Sequence, residues 1–91
     1  MATIHIELGG QLVGIAGKRE WIENADEATS VHDFLLAFCP KAKLQDDLID
    51  ADGKIITKTY LIALDDQQTH DLDRPIGEVR NIFIMSMLAG G

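Results

Sequence analysis

The stretch RNIFIMSML, Arg80–Leu88, decides how the fold is read. Ile82 and Ile84 share one parity, while Phe83, Met85 and Met87 share the other. Side chains alternate along a strand, so apolar residues at both parities describe a strand covered on both faces. Such a strand needs cover on both faces, and the rest of the chain or a partner has to supply it.

The N-terminal stretch MATIHIEL sets Ile4, Ile6 and Leu8 against Thr3, His5 and Glu7, the alternation of a half-buried strand. Gly9-Gly10 follows, then the apolar run QLVGIAG. Paired glycines between two apolar runs predict a hairpin, because both residues reach positive φ without a Cβ clash. Lys18–Asp26 is polar apart from Trp21, Ile22 and Ala25, and reads as the end of that hairpin and a loop. ATSVHDFLLAFCP is the clearest helix. Ser30 can cap it, and Asp33 stands three residues on, an imperfect capping box that also suits the helix dipole. Val31, Phe34, Leu35 and Phe38 form one apolar stripe, and Pro40 is expected to stop the helix.

Leu48–Asp66 holds two β-like runs around an Asp52-Gly53 turn, the second of them KTYLIAL. Asp65–Glu78 is polar, with a further turn expected at Pro75-Ile76-Gly77. The order is strand, strand, helix, strand, short strand, strand. One amphipathic helix against a mixed sheet is an α+β arrangement. A first hairpin, a crossing helix and a long last strand suggest a β-grasp, with the last strand central beside the first. A single helix covers one face of that sheet. Loops or a partner cover the other, and Phe83, Met85, Met87 and Leu88 are the candidate partner contacts, methionine supplying adaptable surface.

Ninety-one residues make one domain, 1–91, expected to carry a flexible tail over about 86–91. The net charge of −7 disfavours nucleic acid and anionic membranes, and favours either a basic protein partner or plain solubility. Cys39 is the only cysteine, which excludes an internal disulfide and fits a reducing compartment. The first residues lack the charged and apolar blocks of a signal peptide, and no apolar run approaches the roughly 20 residues of a membrane span. A cytoplasmic protein is expected.

Catalytic and metal motifs are missing from the sequence. His5, His32 and His70 lack metal-ligand spacing, and a calcium-loop alignment on Gly53 puts Leu48 and Thr59 where acidic ligands are required. Asp46-Asp47 and Asp65-Asp66 read as solvated loop acids. Cys39 continues the Val31–Leu35 row and reads as core, although Lys41 and Lys43 stand near it. No P-loop lysine follows the glycines of GGQLVGIAG.

The ending SMLAGG, Ser86–Gly91, is the remaining candidate. Two glycines have no side chains to block an approach, and Ser86–Gly91 spans on the order of 20 Å when extended. A terminal carboxylate can thus enter a narrow active site while the folded domain stays outside. The bland alternative is a frayed end.

Together with YLIAL, RPIGE and IFIMSMLAGG, the chain resembles the MoaD and ThiS family of ubiquitin-like sulfur carriers, over essentially its full length. LAGG looks closer to the ThiS ending. The PP common before the MoaD ending is absent, and Gly77-Glu78 replaces the family's usual Gly-Asp. The resemblance implies that a ubiquitin-activating-type enzyme uses Mg-ATP to adenylate the Gly91 carboxylate. A sulfur nucleophile then displaces AMP, leaving a thiocarboxylate for a sulfur-accepting biosynthetic enzyme. It implies that Gly91 bears the sulfur, that Gly90 keeps the approach slim, and that this chain binds no cofactor and is not itself an enzyme. Two other readings remain open: a modifier joined through Gly91 to target lysines, and a non-covalent binding module. The recipient pathway is also open between molybdenum or tungsten cofactor, thiamin, a thiolated RNA base and an amino acid.

Overall fold

Alternation carries β1, Ala2–Gly9, with Ile4, Ile6 and Leu8 fully buried on one face. The computed structural model describes residues 1–87. After β1 come α1 (Gln11–Ala16), β2 (Glu20–Ala25), α2 (Val31–Lys41) and α3 (Gln45–Leu48). Then follow β3 (Tyr60–Leu64), β4 (Gln67–Gln68), a 3₁₀ turn (Ile76–Glu78) and β5 (Asn81–Ser86). The strands form one five-stranded sheet in the order β2-β1-β5-β3-β4. The expected last strand is central: β5 runs parallel to β1, from His5 opposite Asn81 to Gly9 opposite Met85, and antiparallel to β3.

The hairpin expected at Gly9-Gly10 does not form as read. Gly9 stays in β1, and Gly10 at φ 63° turns the chain into the short helix α1. Gly17 at φ 85° ends that helix, its N–H donating to the Val13 carbonyl. QLVGIAG is therefore helical because glycines at positive φ bracket it, and seven residues are too few for periodicity to separate helix from strand. The stretch expected to be mostly loop holds the true partner, β2, paired antiparallel from Ala2 opposite Ala25 to Glu7 opposite Glu20. β2 is an edge strand with alternating half-buried and exposed residues, so its outward face is free to be polar.

Ser30 Oγ accepts the Asp33 N–H at 3.0 Å, the expected cap of α2. Val31, Phe34, Leu35, Phe38 and Cys39 of α2 pack on Ile4, Ile6, Ile62, Ile82 and Ile84 in a single core, to which Leu44 and Leu48 add. Pro40 does not end the helix, which continues to Lys41. In the last turn its ring removes only one backbone bond before the chain leaves. The actual stop is a Schellman motif: Leu44 N–H reaches the Cys39 carbonyl at 2.9 Å, and Lys43 N–H reaches that of Pro40 at 3.3 Å. Lys43, at φ 61°, occupies the left-handed position usually held by glycine.

Of the two β-like runs expected in Leu48–Asp66, only the second becomes a strand, β3. The first contributes one isolated bridge, between Ile49 and Ile55. Asp65 and Asp66, at φ 50° and 71°, form the two-residue turn between β3 and β4. The Asp65 carboxylate also accepts the N–H groups of Arg80 and Asn81, fixing the start of β5. These acids are turn-formers rather than merely solvated loop residues.

Two substitutions test this backbone reading by denaturant unfolding. Lys43→Gly relieves the left-handed strain and is expected to stabilise the protein by up to ~1 kcal/mol. Gly77→Ala should destabilise by ~1–3 kcal/mol, because its Cβ would stand 2.8 Å from Glu27 Cβ and 3.1 Å from the Glu27 carbonyl oxygen. Both should shift the midpoint without changing the slope. A neutral Gly77→Ala would mean that the 27–30 loop yields freely.

Candidate functional site: the open sheet face and the chain end

The sheet has a second face, set by the same alternation that buries Ile82 and Ile84. Phe83 and Met85 of β5 are half-buried there, and Met87 just beyond is 46% exposed. Strand register gives them neighbours: Phe83 lies between Ala63 and Glu7, and Met85 between Leu61 and Gly9. Ile22, opposite His5, extends the face to the β2 edge and is 71% exposed. α2 packs on the other face, so it does not cover this apolar strip.

Gly9 has a role the sequence did not reveal. A Cβ placed on it would stand 2.9 Å from Phe83 Cζ and 3.1 Å from Met85 Cβ. Its lack of a side chain lets the Phe83 ring lie down against β1 instead of standing off the sheet. Polar groups border the strip. His5 Nε2 is 3.3 Å from Glu20 Oε1, and an open groove of about 300 Å³ runs past His5, Glu7, Asp66 and Asn81.

Met87 N–H donates to the Thr59 carbonyl at 3.0 Å, so pairing with the β3 side takes in Ser86 and Met87, the first residues of the expected tail. β5 thus brings the chain to the end of the sheet where Gly9 and Tyr60 lie. Leu88, Gly90 and Gly91 lie outside the described residues. Phe83, Met85 and Met87 are brought onto one face, as their shared parity requires. Leu61, Ala63 and Ile22 complete it, and the alternation within YLIAL was the signal for the first two.

The other sequence candidates have structural surroundings. Cys39 is wholly buried, and burial pushes its thiol from 9.0 up to about 11. His32 Nε2 accepts the Ile55 N–H at 3.2 Å, while its Nδ1 lies 3.3 Å from Asp33 Oδ1. His32 therefore ties the Ile49–Ile55 loop to α2. Among the described residues no three His, Cys, Asp or Glu side chains are grouped to hold a metal ion. No described helix is long and apolar enough to cross a membrane.

No family model and no curated protein matches the sequence. Solved structures do resemble it. Small archaeal modifier protein 1 from Haloferax volcanii superposes with a TM-score of 0.86 at 18% identity, over 99% of this chain and 100% of that one. The protein of the same name from Methanosarcina acetivorans gives 0.75 at 21%, over 100% and 98%. A protein described as molybdopterin converting factor subunit 1, from Pyrococcus furiosus, gives 0.71 at 11%, over 97% and 100%. The chain has the ubiquitin-like β-grasp fold of these small proteins, and the molybdopterin converting factor subunit is of the MoaD-like kind that the sequence resembles.

Thiol reactivity provides a check on the core. Native protein at pH 8 should leave Cys39 unmodified by a disulfide reagent, with one equivalent reacting after denaturation. The folded thiol pKa is raised, so its linked stability is complete below about pH 9 and is lost as pH rises towards 11. Rapid native-state labelling at pH 8 would contradict the buried placement.

Proposed function

We propose that this protein is a ubiquitin-like sulfur carrier whose reactive group is the carboxylate of Gly91. The observation that carries the reading is the combination of a central β5 running to Ser86 with LAGG immediately beyond Met87. A partner of the ubiquitin-activating type docks on Phe83, Met85, Met87 and Leu88 and supplies Mg-ATP. The carboxylate oxygen attacks the α-phosphorus and pyrophosphate leaves. Sulfide then attacks the acyl carbon of the adenylate, AMP leaves with the bridging oxygen, and a thiocarboxylate remains.

Carboxylate oxygen is a poor leaving group and AMP a good one, which is why ATP is needed. Gly90 keeps the terminus narrow enough to enter the partner's site. A sulfur-accepting biosynthetic enzyme, of molybdopterin or thiamin type, takes the sulfur, and water attacking the acyl carbon supplies the oxygen that restores the free carboxylate. The catalytic groups belong to the partners, and ATP dependence fits a cytoplasmic setting. The second reading, attachment through Gly91 to lysines of target proteins, has specific support in the likeness to two archaeal proteins named as modifiers. It uses the same adenylate and differs in the acceptor.

The test is intact-mass measurement after incubation with an activating enzyme, Mg-ATP and sulfide. One oxygen should be replaced by one sulfur at Gly91. Deletion of Gly91 should abolish the change while leaving the unfolding midpoint in place. A bulky residue at Gly90 should block adenylation. No mass change with any activating enzyme of the source organism would end the carrier reading, and isopeptide-linked conjugates in cells would establish the modifier.

Met87→Glu separates docking from folding. The side chain is exposed, so stability should stay within ~0.5 kcal/mol, whereas the rate of adenylation at limiting partner should fall roughly tenfold or more. An unchanged rate would remove Met87 from the docking face.

A further inference from the structure

The free edge of β2 borders a groove that neither the open face nor the chain end uses. Leu8 N–H donates to the Arg19 carbonyl at 2.8 Å, which sets the phase of the β1–β2 ladder. Antiparallel pairs alternate, so Trp21, Glu23 and Ala25 turn their backbone groups towards β1. The N–H and C=O groups of Glu20, Ile22 and Asn24 point outward. β2 stands at the sheet edge over six residues without a proline.

Beside this edge, between β2 and α2, lies a groove of about 190 Å³ floored by Phe34, Ala37 and Phe38. Its rim is acidic. Glu23 is matched by Lys41, 2.6 Å from its carboxylate. Asp26 and Asp33 also line the groove, and no lysine or arginine among the described residues pairs with either. The groove lies beside Glu23–Ala25, which pair with the beginning of β1, whereas β5 ends beside Gly9 at the other end of the sheet.

We infer that the β2 edge and this groove form a docking site for an extended, basic peptide segment of a partner protein, which adds to the sheet as a sixth strand. Its backbone pairs with Glu20, Ile22 and Asn24. Alternate side chains then fall into the groove over Ala37 and onto the open face beside Ile22. Lysine or arginine flanking the apolar anchor meets Asp26 and Asp33. A second copy of this chain is the poorer occupant, because it brings another net charge of −7 and a second acidic rim to the same seam. The site is separate from the terminal chemistry and does not depend on it.

The experiment titrates ¹⁵N-labelled protein with the peptide acetyl-KTVIVTK-amide and follows backbone amide shifts. Saturable shifts are expected at Glu20, Ile22 and Asn24, and along the Phe34–Phe38 turn of α2. The acidic control acetyl-ETVIVTE-amide should bind at least roughly tenfold more weakly. Ile22→Pro removes an outward N–H that β1 does not use, so it should keep the fold and weaken binding roughly tenfold. Ala37→Lys, at an exposed helix position, should do the same by filling the groove with a long side chain whose charge repels the peptide lysines, without disturbing the helix. Absence of shifts at β2, equal binding of the acidic peptide, or shifts that follow protein concentration alone and so report self-association would each overturn the inference.

Discussion

Central placement of β5 is the constraint on which the rest of the structure depends. Asn81–Ser86 hydrogen-bonds on both sides, parallel to the first strand and antiparallel to β3. The first and last described strands are thereby joined side by side, and the sheet is complete only when β5 is in place. Such long-range pairing carries a loop-closure cost that local hairpins avoid. The offsetting term is the burial of Ile82 and Ile84 against Ile4, Ile6, Ile62 and the apolar stripe of α2. A substitution that weakens β5 should therefore be felt across the whole sheet rather than at one edge.

The same placement fixes what each parity of β5 can do. Even-numbered Ile82 and Ile84 are committed to the core. Odd-numbered Phe83, Met85 and Met87 face away from α2, with exposure increasing towards the chain end. Gly9 lets the Phe83 ring lie against β1, and Asp65 holds the beginning of β5 through two backbone N–H groups. The apolar strip is thus anchored at its start and open at its finish, close to the point where the chain leaves the sheet.

Elements with a strong period and a long reach were legible in the sequence. The capped helix, the alternation of β1 and the two-sided β5 all appeared where they were read, and they are enough to define the architecture. Short elements governed by glycine conformation were not. Gly9-Gly10 satisfies a hairpin rule, but close packing of Phe83 needs Gly9 inside β1 and leaves only Gly10 to turn. β2 was hidden because an edge strand tolerates Glu20, Glu23 and Asn24, so composition resembles that of a loop. Pro40 misled by one residue because the helix end is set by Lys43 in the left-handed region, a conformation that no lysine announces. Of the candidate site, the shared face of Phe83, Met85 and Met87 was legible from parity. Its neighbours Ile22 and Gly9 depend on register, which β2 withheld.

Acidity acquires a location once the fold is known. A net charge of −7 read from composition fits simple solubility as well as a basic partner. In the folded chain, Lys41 compensates Glu23, whereas Asp26 and Asp33 on the same groove have no lysine or arginine partner among the described residues. An unpaired strand edge invites a further strand of either charge, and only the acidic rim selects between them. The backbone edge would therefore supply the binding geometry and the carboxylates the choice of partner. Phe83, Met85 and Met87 would remain available to a second protein, because strand alternation directs them away from the groove. The β2 edge and the Phe83–Met85–Met87 strip are thus two distinct surfaces of one small sheet.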